Sequence, residues 1–363
     1  MLDAIIVGGG PVGLFLGGRL AQLGFAVKVL EPRTGPRAHS RAIGVHPPAL
    51  ERLAALGLAD AFVREGVRIT RGHAYAGTKR LGTLSFADLP GPYPFVLTLP
   101  QPRTETLLEG RLRELAPDAL CRAEAVGIAQ TARCVHVTLA SGERLTARFL
   151  VAADGKTSSV RNALNIPFRG RSYPDHYLMG DFHDTTELGD DAALYFTRAG
   201  LVESFPLPGR LRRWVAKTPV RVSAPTPDIL ADFVRERLGV TLPVETNSAL
   251  SAFGVQRFLA ERFLAGRVAL VGDAAHVVSP IGGQGMNLGW LGAWRLAESL
   301  AAGDLSGYAA HRRSARRAVR RAEFNTVMGR ATLLGAARDA LTWGILHGPL
   351  HGSFARMFTM RGL

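Results

Sequence analysis

The first thirty residues leave this chain few folds to choose from. Ala4-Ile5-Ile6-Val7 is an apolar run with the length of a buried strand, and Gly8-Gly9-Gly10-Pro11-Val12-Gly13 turns out of it. Leu14 to Leu23 carries apolar residues at helical spacing, Gly24 stops it, and Ala26 to Leu30 is a second strand that closes on Glu31. Strand, turn, helix and strand make a βαβ unit, the building block of a parallel sheet. Gly8, Gly10 and Gly13 fit G-x-G-x-x-G in the context that pattern requires, and Glu31 stands 21 positions after Gly10. Such glycines let the backbone approach a diphosphate, the helix N-terminus favours its charge, and the acid can accept from a ribose hydroxyl. Pro11 and Val12 lie in the turn itself, with Pro32 and Arg33 directly after the acid. An acid here suits an unphosphorylated adenosine ribose, so NADP is disfavoured as the ligand of this turn.

A second glycine-rich turn comes late, in GRVALVGDAAHVVSPIGGQGMNL (residues 266–288). The strand Val268 to Val271 runs into Gly272-Asp273, and a loop with Pro280, Gly282, Gly283 and Gly285 leads into a helix that begins near Gly285. Between the two turns lies a hairpin: Cys134 to Leu139, a turn at Ser141-Gly142, and Glu143 to Leu150 returning. Its return strand ends in Val151-Ala152-Ala153-Asp154-Gly155, before a helix that opens with Ser158, Ser159 and Arg161. Doubly wound sheets bind ligands beyond the carboxyl ends of their strands, and three such ends are marked here. A nicotinamide dinucleotide alone needs no second glycine-rich loop. A longer cofactor does, because its adenosine half fills the first turn and its ring half must be held elsewhere. The expected cofactor is therefore FAD.

The remaining segments suggest a frame for this site. Pro32 to Ile43 is a basic loop in which Arg33, Arg37 and Arg41 could neutralise a diphosphate or reach a ring system, and His46 precedes a helix from Pro48 to Leu56. Residues 67–99 read as irregular strands, and Pro100 to Leu115 as a helix with Gln101, Arg103 and Glu105 in its first turn. From His176 to Ala216 short strands alternate with glycine turns; a helix (Pro227 to Leu238) and a strand (Ser248 to Val255) complete an inserted sheet. Residues 285–302 and 305–345 are mostly helical, whereas the stretch from His347 onward is too rich in glycine and methionine to assign. The expected class is α/β. A Rossmann-like FAD-binding domain is built from residues 1–70, 100–165 and 266–310, an antiparallel-sheet substrate domain from 71–99 and 166–265, and a helical region from 311–363.

Composition narrows the function classes. An apolar content of 47% and a charged content of 20% over 363 residues support a sizeable core. The net charge of +14 admits nucleic acid, an anionic membrane surface or anionic ligands as partners. The arginines are mostly scattered, however, and the one dense run, His311 to Arg321, has the spacing of a solvated helix face. No nucleic-acid-binding signature accompanies it, so no nucleic-acid partner is expected. No apolar run is long enough to span a bilayer, and no secretory signal pattern opens the chain. Cys121 and Cys134 carry no metal-ligand spacing, which suggests no metal and a reduced, cytoplasmic setting.

Taken together, GGGPVG with Glu31, VAADGKTSSVR and GRVALVGDAAHVVSPIGGQGMNL resemble the single-component FAD-dependent aromatic hydroxylases of the para-hydroxybenzoate hydroxylase type. The resemblance covers nearly the whole chain. SRAIGVHPPALERLAALGL is similar to the equivalent stretch of the bacterial polyketide and phenol hydroxylases in that family, whose extra thioredoxin-like domain is not expected at this length. The resemblance implies that Gly8, Gly10 and Gly13 hold the diphosphate and Glu31 the adenosine ribose. It puts Arg41 beside the isoalloxazine ring, Gln101 or Arg103 near the ribityl and diphosphate, and Asp154 and Gly155 with both FAD and a passing nicotinamide. Gly272-Asp273 would meet the ribityl–diphosphate region, Pro280 the reactive flavin edge, and Gly283, Gln284, Gly285, Met286 and Asn287 its pyrimidine side. Gly292 departs from the acidic residue usual in relatives, but it lies beyond the loop.

The implied reaction is reduction of FAD by NADH or NADPH, addition of dioxygen, and hydroxylation of an electron-rich aromatic or polycyclic molecule through a flavin hydroperoxide. The substrate would lie under the inserted sheet, with Tyr195, Phe205 and Trp214 as candidate walls, although aromatics in strands are core residues more often than not. No catalytic base can be assigned; His46 and His183 are weak candidates. Two alternatives keep the cofactor: a reductase of the same fold, and a flavoprotein attached weakly to a membrane surface by its basic C-terminal helices. The W-x-W-x-I-P signature of halogenases is absent. A monomer or a homodimer is compatible with all of these.

Overall fold

Leu2–Val7 lies inside the first of two eight-stranded sheets in a computed structural model that describes residues 1–35, 42–328, 330 and 335–362. It pairs in parallel with Val27–Leu30 on one side and Arg144–Ala152 on the other. Arg144–Ala152 pairs in turn with Val268–Leu270, and Val27–Leu30 with Leu120–Cys121, again in parallel. Covered on both faces, the first strand needs no alternation, and Ala4, Ile5 and Ile6 are fully buried. The register aligns Val7 with Leu30 and with Ala152, and Ala152 with Leu270. The strands therefore finish at one level, which brings Gly8, Glu31, Ala153 and Val271 side by side.

The helices Pro11–Gln22 and Gln284–Ala301 pack against each other over this edge. Trp290 joins them: its Nε1–H donates to the Pro11 carbonyl at 2.9 Å, and its ring centroid lies 6.1 Å from that of Phe15. The two glycine-rich turns are thus tied together directly behind the site.

The second sheet is built on Phe168–His183, a sixteen-residue strand paired antiparallel with both Ala249–Ala260 and Leu211–Thr218. The sequence places its start at His176. A register irregularity between Ser172 and His176, with Pro174 inside it, breaks the period-two pattern and hides the first half. Toward the other edge follow Gly200–Leu207, Ala192–Thr197, Arg71–Ala76 and Lys79–Ser85, with Ala192–Thr197 parallel to Arg71–Ala76. Segments either side of residue 100 thus build one sheet. Helix Pro227–Leu238 covers one face of it, burying Leu230 and Val234 against Leu178, Phe182 and Trp214. The opposite face looks toward the first sheet.

Ser306–Met328 carries the basic run. Ala315, Ala318 and Ala322 are buried, whereas Arg313, Arg316, Arg317 and Arg320 are exposed, so this is the solvated face its spacing predicts. The stretch that the sequence left unassigned contains the helix His351–Phe358. Together with Gly335–His347 it packs Leu346 and Ala355 against Ile69, Leu84 and Phe86. Among the described residues no helix is long and apolar enough to cross a membrane.

Candidate functional site

A cavity of about 930 Å³ lies between the two sheets, and the three strand ends open into it. Gly8 has a φ of +105°, and a Cβ there would run into the Ala153 carbonyl; one on Gly13 would strike the Gly8 oxygen. These two glycines serve close backbone approach. Gly10 differs: a Cβ on it would meet nothing within 4 Å, and it faces the cavity. It precedes helix Pro11–Gln22, which has no side-chain cap, so the first-turn N–H groups are left for a ligand.

Glu31 is buried at the same edge. Its Oε2 accepts from the Gly9 N–H at 3.0 Å and from Arg33 Nη2 at 2.8 Å, and its Oε1 from Arg33 Nε at 2.9 Å. Burial alone pushes its pKa up, but the hydrogen bonds and charge of Arg33 and the Gly9 amide outweigh this and hold it low. The carboxylate is thus ionised and fixed.

At the second strand end, Asp154 Oδ2 accepts from Ser159 Oγ at 3.2 Å and from the Val160 amide at 3.3 Å. Its Oδ1 is buried with no partner among the described residues. At the third, Gly272 takes a φ of +58° and Asp273 lines the cavity. Gly283, with a φ of +64°, precedes helix Gln284–Ala301, whose start again lacks a side-chain cap. An open glycine cradle, two uncapped helix starts and a waiting acceptor on Asp154 fit a long ligand with a diphosphate and hydroxyl donors, as FAD is.

The sequence-derived residues fall into two groups. Gly8, Gly10, Pro11, Val12, Glu31, Pro32 and Arg33 line the cavity, as do Gln101, Asp154, Gly155, Gly272 and Asp273, and Pro280, Gly283, Gly285 and Met286. Arg103 does not; it is half-exposed and paired with Glu65. Gly13 lies behind the turn. Gln284 is buried, with its Nε2 donating to the Phe358 carbonyl at 3.4 Å. Asn287 is fully buried: its Oδ1 accepts the His46 amide at 2.8 Å, and its Nδ2 donates to the Gly44 and Gly283 carbonyls at 2.9 and 2.8 Å. It fastens two loops rather than reaching the cavity. Arg41 lies outside the described residues.

On the substrate side, Phe205 lines the cavity, whereas Tyr195 and Trp214 stack on each other at 6.3 Å within the core under helix Pro227–Leu238. His183 is exposed on the far end of its strand. His46 is buried at the cavity wall; its Nε2 lies 3.0 Å from the Gly282 carbonyl and donates to it. Burial drives its pKa down to about 4, so it is neutral at pH 7.

Sequence reasoning missed Tyr177, Glu203 and the C-terminal walls Leu346, Phe354 and Phe358. Glu203 had a signal, a lone acid in the otherwise apolar strand start Leu201-Val202-Glu203. The C-terminal walls had none, since their apolar face is explained only by the hairpin they cover.

The profile of a family described as "FAD binding domain" matches residues 1–326. The chain is 35% identical over 316 residues to a rifampicin monooxygenase of Streptomyces venezuelae, which covers 85% of this chain and 66% of that protein. Across eight curated relatives that it matches, the chain spans between 55% and 67% of their length. Its structure is similar to that of p-nitrophenol 4-monooxygenase from Pseudomonas putida, with a TM-score of 0.88, 25% identity, and coverage of 99% of this chain and 97% of that one. It is also similar to a ternary complex of aklavinone-11 hydroxylase with FAD and aklavinone, with a TM-score of 0.78 and 25% identity, over 93% and 70% of the two chains.

Proposed function

The chain belongs to the FAD-binding family of flavin-dependent aromatic monooxygenases, and from that premise we propose that it hydroxylates an electron-rich aromatic or polycyclic small molecule at the expense of NADH or NADPH and dioxygen. The observation that carries this reading is the meeting of three cofactor-facing strand ends with the apolar inner face of the second sheet around one cavity. When bound, FAD would supply the redox chemistry that the protein's own side chains lack: exchange of electrons with a nicotinamide and activation of dioxygen.

The protein's part is position, field and exclusion of water. Gly8, Gly10 and the start of helix Pro11–Gln22 would bind the diphosphate, with Glu31 on the adenosine ribose. Asp154 Oδ1 and Asp273 would accept from ribityl hydroxyls. The uncapped start of helix Gln284–Ala301 would face the pyrimidine side, where a helix N-terminus stabilises the negative charge of a reduced ring. Neutral His46 keeps the Gly282 carbonyl fixed without adding charge beside it. Met179, Leu194, Phe196, Val215 and Phe253 make a wall in which a ring is held away from water. The discontinuous FAD-binding and substrate segments expected from the sequence are proposed as the two functional halves.

The test is aerobic NADH and NADPH oxidation by the FAD-loaded protein across phenols, quinolones and polycyclic aromatics, with labelled dioxygen. Substrate-stimulated oxidation with one labelled oxygen atom in the product is the expected result. Conversion of substrate without dioxygen would identify a reductase instead.

A further inference from the structure

The inner face of the second sheet carries a buried acid whose neighbours are fixed by register. Glu203 stands opposite Leu194 on one side and Val215 on the other, and Val215 opposite Met179; all four line the cavity. Leu201 and Phe205 flank it on the same face of its own strand. Glu203 is only 5% exposed, and no charged or hydrogen-bonding side chain among the described residues offsets its burial. That burial pushes its pKa up to about 7. One strand beyond Val215, Tyr177 also lines the cavity, and its buried Oη has no partner among the described residues.

Among the described residues, the cations of this face are already committed. Arg213 donates to both carboxylate oxygens of Asp181, Nε to Oδ1 at 2.6 Å and Nη2 to Oδ2 at 2.7 Å. Lys217 lies 3.0 Å from Asp175. The wall therefore offers hydrogen-bond acceptance and latent negative charge in an apolar setting, the reverse of what an aromatic carboxylate needs. Buried polar groups without partners are costly to leave so, and a site built to bond a donor rejects the analogue that lacks it.

We propose that Glu203, assisted by the Tyr177 hydroxyl, is the specificity-determining anchor for an aromatic substrate that presents a hydrogen-bond donor, a phenolic hydroxyl or a ring amine, and that this wall excludes aromatic carboxylates. The inference rests on the hydroxylase reading for the aromatic nature of the ligand. A phenol bonded to a carboxylate is also richer in electrons at its ortho and para carbons, so the anchor favours the rings an electrophilic oxygen attacks.

The experiment is a binding titration of the oxidised FAD-loaded protein with 2-naphthol, 2-methoxynaphthalene and 2-naphthoate, read from the flavin absorbance. In the wild type, 2-naphthol is expected to bind at least about ten-fold more tightly than its methyl ether, and 2-naphthoate more weakly than either. Glu203→Leu should bring the naphthol-to-ether ratio close to one. Glu203→Gln, which keeps the shape and removes the charge, should improve 2-naphthoate binding, and it keeps the proposal open to refutation if the leucine variant does not fold. Equal affinity of the wild type for naphthol and its ether, detectable or not, overturns the proposal, as does an unchanged ratio in Glu203→Leu or an unchanged naphthoate affinity in Glu203→Gln. No turnover is involved, so failure here leaves the hydroxylase reading standing, and failure to incorporate oxygen leaves the binding preference standing.

Discussion

The amide of His46 donates to Asn287 Oδ1 at 2.8 Å, although 241 residues separate the two in the chain. The same side chain bonds the carbonyls of Gly44 and Gly283, so one buried amide sets the gap between the loop before helix Pro47–Ala55 and the loop that would face the flavin ring. Replacing Asn287 by alanine removes three hydrogen bonds to backbone groups, each worth about 0.5–1.5 kcal/mol. Asn287→Ala should lower the denaturation midpoint and raise the Kd for FAD by at least about ten-fold. Asn287→Asp keeps an acceptor but sets a carboxylate against two carbonyls, so it should not rescue binding. Fluorescence titration of each apoprotein with FAD measures the Kd, and urea denaturation the midpoint.

The glycines of the first turn should separate by what their missing Cβ makes room for. Gly10→Ala meets no protein atom within 4 Å, so the fold should survive while the diphosphate loses its seat. Gly13→Ala drives a methyl group into the Gly8 carbonyl and should destabilise the fold itself. The expected outcome is a folded, colourless Gly10→Ala protein and a poorly folded Gly13→Ala protein, judged by circular dichroism and the ratio of FAD to protein. A yellow Gly10→Ala protein with normal FAD content would refute the assignment.

Acid should loosen the molecule through its buried imidazoles. Burial lowers the pKa of His46 from 6.5 to about 4, that of His276 to about 3 and that of His311 to about 4. A histidine that resists protonation only in the folded state contributes stability that is full above pH 6.5 and is lost as pH falls through its folded value. For His46 the shift corresponds to about 3 kcal/mol. Urea midpoints between pH 8 and pH 4 should fall steeply in the wild type and less steeply in His46→Gln. Parallel curves for the two would remove His46 from this account.

Phe358 closes the cavity from the C-terminal side, with its ring stacked on Phe86 at 6.0 Å and edge-on to His46 at 6.2 Å. Phe358→Ala should admit water near the reacting ring and, because the ring is only partly buried, cost roughly 1.5–3 kcal/mol of stability. On the proposed activity, the fraction of nicotinamide oxidised that appears as hydroxylated product should fall, with hydrogen peroxide making up the difference. Unchanged coupling would show that the helix His351–Phe358 is packing alone.

The parts of this fold that sequence exposes are those governed by local rules. The unbroken apolar run Ala4–Val7 signals a strand covered on both faces, and the glycines after it signal a turn whose crowding is internal to a few residues. The period of two in Ala192–Thr197, Gly200–Leu207 and Leu211–Thr218 puts successive residues on opposite faces, but both faces are buried and nothing local says which one a helix will cover. For that reason Phe205 proves to be a cavity wall while Tyr195 and Trp214 prove to be core. The fastening by Asn287 and the closure by Phe358 depend on partners hundreds of residues away, and no window of sequence contains both sides of either contact.

The pairing order of the first sheet also fixes a timetable. Leu2–Val7 is made well before its neighbour Arg144–Ala152, and the next strand, Val268–Leu270, follows later still. The cradle at Gly10 can be shaped by its own βαβ unit, but the wall containing Asp273 and Gly283 arrives only after the whole inserted sheet has been synthesised. Long-range pairing of this kind is slow and leaves strand edges open while it waits. Closing the FAD site thus joins pieces of chain made far apart in time, so the cofactor can meet its full set of partners only after Gly283 has emerged.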